Sequence, residues 1–147
     1  MGELDGLIRY RKHTVDEKQK VLSNLYRQAE DLEKQKARIL AEMEAEKKVA
    51  REAEEREERE TSAFLLTYLE GARAKVRALD GQLARLEVRI IAAQEEVRSA
   101  FAEQKKVEIV QKQRQKKEDS EVKAKESKEL DEIAIDAYRK QGLEDDG

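Results

Sequence analysis

From Leu65 to Val107 the apolar residues recur at alternating spacings of four and three: Leu65, Leu69, Ala72, Val76, Leu79, Leu83, Leu86, Ile90, Ala93, Val97, Ala100 and Val107, with Gln104 as the one polar member. That spacing puts one apolar stripe along a helix and drives it to supercoil with a partner. A second stripe of the same kind precedes it: Leu4, Ile8, Val15, Leu22, Leu25, Ala29, Leu32, Ile39 and Met43, interrupted at core positions by Arg11, Lys18 and Lys36. With 44% charged residues, 38% hydrophobic and no proline, the chain has the composition of long helices and too little bulk for a thick core. Its architecture is read as a narrow seam.

The first stripe fades after Met43, since Glu44 to Glu60 offer only Ala45, Val49, Ala50 and Ala53. The second is lost across QKQRQKKEDSEVKAKESKE, residues 111–129. Leu130, Ile133, Ala134 and Ala137 then form a short apolar face out of frame with the main stripe. Two arrangements bury the stripes: a parallel rod of two copies, or a fold-back near residue 60. A turn there brings Ile8 near Lys112 and Val15 near Val107, so the second stripe ends where the first helix runs out of chain. A parallel rod gives no reason for that coincidence. The fold class expected is therefore all-α, an antiparallel two-helix coiled-coil hairpin with a longer second helix and no β structure. Its first helix covers about 4–56, its turn about 57–62 and its second helix about 63–141, ahead of a short acidic tail. Each paired arm is about 75 Å long at 1.5 Å per residue. Thr61 or Ser62 is placed to cap the second helix, and Gly142 to stop it.

REERETSAFLLTYLE, residues 56–70, passes from alternating charge to a burst of large apolar residues. In the frame of the second stripe Leu65 and Leu69 point inward, while Phe64, Leu66 and Tyr68 take flanking or outer positions facing the seam-poor segment Glu44 to Glu55. Such a cluster either wraps the tip or marks a binding surface.

Catalytic chemistry finds little support. His13, the one histidine, is read as a solvated surface residue. Phosphate-loop, HExxH, EF-hand and GxSxG patterns do not occur, so the chain is read as not an enzyme, with no cofactor and no metal. Gly71 and Gly81 are isolated within the second helix and do not form a phosphate cradle. A net charge of −3 and the lack of aromatics interleaved with QKQRQKKE argue against nucleic acid. Without a long apolar run there is no direct membrane insertion, and without a signal-like h-region or cysteine the protein is expected in the cytoplasm.

The lead LDGLIRYRKHTVDEKQKVLSNLYRQAEDLEKQ, the acidic mid-chain turn and a second helix closing in KELDEIAIDAYRK resemble the flagellar export protein FliJ family over about 140 residues. The resemblance implies an antiparallel coiled coil like the stalk of rotary ATPases. It implies a role in flagellar type III protein export as a cytoplasmic component peripherally associated with the membrane export apparatus. Its implied partners are the hexameric export ATPase FliI, whose ring assembly such proteins promote, the export gate protein FlhA, and export chaperones. On that reading Arg9, Arg11, Lys12, Lys112, Arg114, Lys116 and Lys117 meet acidic loops of the ATPase, joined by Leu130, Ile133 and Tyr138 of the unpaired helix. Leu40, Met43, Phe64, Leu65, Tyr68, Leu69 and Ala72 would meet the gate. A virulence-type secretion stalk would look almost the same. The alternative is a structural coiled coil, either a parallel homodimeric rod or a peripheral-stalk subunit of a rotary ATPase. Helicity independent of dilution separates an intramolecular hairpin from the rod.

Overall fold

The computed structural model describes residues 2–56 and 59–145, with only the backbone for 59–62 and 144–145. The described residues form two helices: α1, Asp5–Glu55, of 51 residues and α2, Arg59–Asp145, of 87 residues. They pack against one another as an all-α hairpin with the longer helix second. Each is sustained by helix-forming residues uninterrupted by proline, and by surface pairs such as Lys34–Glu30 at 3.2 Å and Arg98–Glu95 at 3.1 Å, each contributing a few tenths of a kcal/mol. At the end of α1 the Arg56 N–H donates to the Ala53 carbonyl at 3.1 Å, a tightened last turn that satisfies a terminal carbonyl.

The helix bounds differ from those expected. Thr61 and Ser62 lie inside α2, so neither caps it, and of the expected turn Glu57 and Glu58 fall outside the described residues. Gly142 does not stop α2, which runs on to Asp145. One glycine in an exposed helix costs only about 1 kcal/mol, too little to end a helix that neighbours on both sides support.

Packing divides the chain into two units, His13–Phe101 and the pair Met1–Lys12 with Ala102–Gly147. In the His13–Phe101 unit the stripes bury one another. Leu25, Leu86 and Ala93 form one cluster, flanked by Leu22, Ala29, Leu32 and Ile90. Met43, Leu69 and Ala72 form another, flanked by Ile39, Leu65 and Val76. Burial continues past Met43 through half-buried Lys47 to buried Ala50 and Ala53, where the sequence suggested a fading seam. Polar groups bridge the helices: Lys36 Nζ meets Asp80 at 2.7 Å, Lys18 Nζ meets Glu96 at 3.1 Å, and Gln94 Nε2 donates to the Tyr26 hydroxyl at 2.7 Å. Lys36 against Asp80 puts the pairing about four residues from the expected register, in keeping with an α2 that begins at Arg59 and not near residue 63. Leu69 and Ala72 consequently meet Met43, and the stretch after the turn is not left facing a seam-poor arm.

In the other unit the start of α1 lies along α2 as far as Gln111. Gln111 Nε2 donates to Asp5 Oδ1, so Asp5 is the hydrogen-bonded neighbour of this part of α2. Leu4, Ile8 and Val107 are half-buried, and Gln104 is the buried side chain. Beyond Gln111 every described side chain as far as Leu143 is exposed.

The apolar clusters carry the stability of the first unit. Leu25→Ala, at a site 4% exposed, is expected to cost about 2–4 kcal/mol in chemical unfolding. Gly71→Ala, where an added Cβ meets nothing within 4 Å, is expected to stabilise by up to about 1 kcal/mol.

Candidate docking surfaces

Two groups of side chains remain once the seam is closed. One lies in the unit that joins the start of α1 to the second half of α2. Arg9, Lys12, Lys112, Arg114, Lys116 and Lys117 are all exposed there. Arg11 differs: it is half-buried at a seam position, its Nε is buried without a hydrogen-bond partner, and its guanidinium lies 5.9 Å from the Tyr10 ring centroid. Six of the seven expected cations thus face solvent, and the seventh packs inward.

Carboxylates are threaded among these cations, a feature the cation-rich run alone did not suggest. Glu3 Oε2 approaches Arg114 at 3.6 Å. Asp5 accepts from the Gly2 N–H at 3.1 Å and from Gln111, and its pKa is held below the ordinary aspartate value first by the Gly2 bond and then by Gln111. Returning a carboxylate to a backbone N–H three residues earlier is half of a capping box, and the Asp5 N–H completes the loop by donating to the Gly2 carbonyl at 3.1 Å. Glu108 is likewise lowered, first by the Gln104 amide at 2.9 Å, then by Lys105 and by the charge of Lys12. Farther along α2, Leu130, Ile133 and Tyr138 are 64–78% exposed. Val122, Ile135 and Leu143 are also exposed, so the apolar surface of this stretch is wider than the expected face.

The other group follows the turn. Phe64 and Leu66 are 77% and 64% exposed, and Tyr68 and Leu40 lie at the edge of the seam. Leu65 is half-buried, while Met43, Leu69 and Ala72 are the buried cluster described above. Of the seven residues grouped here from the sequence, three therefore face solvent, one is partly open and three hold the hairpin together. Tyr68 shares a shallow groove with Ile39, Glu42, Gly71 and Lys75. Partial desolvation, then the charges of Glu42 and Glu46, raises its hydroxyl pKa. Those two glutamates belong to the surface and were not singled out by the periodicity, because charged flanking positions are common everywhere on this chain.

His13 sits on the open face of α1 with Nε2 3.0 Å from Glu17. Among the described residues no cluster of three or more His, Cys, Asp or Glu groups is placed to hold a metal ion, and no helix is long and apolar enough to cross a membrane. No protein-family model, curated protein or solved structure matches the chain.

The lowered carboxylates make the start of α1 acid-sensitive. A folded-state pKa below the unfolded one contributes stability above the ordinary carboxylate value, and the contribution disappears as pH falls through the folded value. Amide-exchange protection of residues 5–12 is expected to fall between about pH 4 and lower pH, ahead of that of residues 22–43. Asp5→Asn should remove part of this dependence.

Proposed function

We propose that this protein is a non-enzymatic stalk component of flagellar type III protein export. In this reading it binds the hexameric export ATPase, promotes assembly of its ring, and links the ring to the export gate from the cytoplasmic side. The observation that carries the reading is the stretch of α2 after Gln111, a helix without a packing partner among the described residues that begins with Lys112, Arg114, Lys116 and Lys117 and continues with exposed Leu130, Ile133 and Tyr138. A helix of this kind suits insertion into a ring. The cations steer approach to an acidic lining and make association sensitive to salt. The apolar side chains then add burial at about 25 cal/mol per Å². The hairpin with a longer second helix agrees with the shape implied by the FliJ resemblance, and exposed Phe64 and Tyr68 suit a gate contact near the turn. Export chaperones belong to the same proposal as further partners.

The test is ATP hydrolysis by the export ATPase of the same organism, measured with and without this protein across ATPase concentration. Stimulation is expected to be strongest at low ATPase concentration, where ring assembly limits the rate. Replacing Lys112, Arg114, Lys116 and Lys117 together by alanine should reduce that stimulation at least several-fold while leaving helix content unchanged. An active ATPase unaffected by the protein at every concentration would favour a purely structural coiled coil.

A further inference from the structure

The stretch of α2 beyond Gln111 changes sign along its length. Lys112, Arg114, Lys116 and Lys117 follow one another without a carboxylate among them. From Glu126 to Tyr138 the balance reverses: Glu126, Glu129, Asp131, Glu132 and Asp136 stand against Lys128 alone. The acidic part also carries a coherent apolar face. Leu130, Ile133, Ala134, Ala137 and Tyr138 follow helical spacing and align along one side of α2, and all five are exposed. At 3.6 residues per turn, Glu129 and Asp136 line one border of that face, Asp131 lines the other, and Glu126 heads it one turn before Leu130. Lys128, Glu132, Ile135 and Arg139 fall on the back. On the face or its borders the nearest cations are Lys123 and Lys140, beyond its two ends.

Carboxylates on both borders decide what can cover this face. A second copy laid antiparallel on it sets Glu129 beside the second copy's Asp136, like against like, because matching borders meet in such a pair. Anionic lipid is opposed by the same groups. So is the acidic surface that suits Lys112 to Lys117, and the apolar face is centred about 30 Å farther along the helix at 1.5 Å per residue. We infer that residues 130–138 dock in an apolar groove rimmed by lysine and arginine on a partner protein, a surface of opposite sign to the one that receives Lys112 to Lys117. The mode is a helix laid in a groove: Leu130, Ile133 and Ala137 enter it, and Glu129, Asp131 and Asp136 meet the cations of its rim. Those charge pairs set register and speed encounter, while burial of the apolar side chains supplies the affinity. The inference goes beyond the stalk reading, which needs only an acidic lining for the cations, and does not depend on it.

Photo-cross-linking of the full chain in cells of its own organism tests this docking. Benzoylphenylalanine replaces Ala137 or Tyr138 on the face and, as a control, Lys128 on the back. Both face positions are expected to give one main protein adduct and Lys128 little of it. Mass spectrometry of the adduct should place the cross-link among apolar residues flanked by lysine or arginine. Ile133→Glu should reduce the adduct several-fold, as should Glu129→Lys combined with Asp136→Lys, with helix content unchanged. Exchanging the partner's contacted rim cations for glutamate should restore the adduct of the doubly substituted chain. No adduct from either face position would overturn the proposal. So would an adduct with a second copy, with lipid or with an acidic segment, or one indifferent to the charge exchange.

Discussion

Leu25 against Leu86 and Ala93, and Met43 against Leu69 and Ala72, are the contacts on which the hairpin depends. A chain this rich in charge has no second layer to fall back on. Among the described residues even the most buried side chain, Leu25, keeps 4% of its surface, because a two-helix seam closes around each residue from only one side. Stability is therefore distributed along the seam in small portions, each a knob of one helix among residues of the other. Loss of one portion weakens the pairing locally, whereas loss of register would weaken it everywhere.

Register is held by polar groups that first look like flaws in the pattern. Lys18 and Lys36 occupy seam positions, yet their aliphatic stems cover the stripe while their ammonium groups reach Glu96 and Asp80 on the other helix. The hydrogen bond to Asp80, and then the Asp80 charge, raise the Lys36 pKa above its ordinary value, so the ammonium stays charged throughout the neutral range. Exposed bridges of this kind contribute little to total stability. Their value is directional, since a slip of one heptad would set each lysine against a different neighbour. In the unit formed by the start of α1 and the second half of α2, Gln104 and the Asp5–Gln111 bond take the place of large apolar knobs. Pairing there is polar and correspondingly open to displacement by acid.

The seam was legible from spacing alone because the period of a coiled coil leaves little freedom. Val15, Leu25, Met43, Leu69, Ala72, Leu79, Leu86 and Ala93 were all seam positions by heptad count, and all are buried. What spacing misjudged was alanine. Ala50 and Ala53 carry little hydropathy and looked like the end of the first stripe, yet a small residue near a turn allows close approach of the helices and is buried completely enough to count. The start of α2, expected near residue 63 and found at Arg59, was placed late for a related reason. Thr61 and Ser62 are good capping residues, but good caps also survive inside a helix when the helices on both sides are already paired. That displacement shifted the register by about four residues and with it the neighbours of Ile8 and Val15. For the surfaces, periodicity separated Phe64 and Tyr68 from Leu69 correctly, but it did not forbid assigning one role to all three. Met43, Leu69 and Ala72 close the seam and are accessible to another protein only if the hairpin opens there.

The central claim is that the two stripes bury each other within one chain. The chain contains no native cysteine, so spin labels on Arg27→Cys and Arg89→Cys, both exposed positions of the hairpin, report a single distance by pulsed electron resonance. Diluted into excess unlabelled protein, an intramolecular hairpin keeps the labels about 10–30 Å apart, allowing for packed helix axes 8–10 Å apart and two label linkers. A separation on the order of 90 Å, as for one uninterrupted helix, would contradict the account. So would a short distance that disappears on dilution with unlabelled chain.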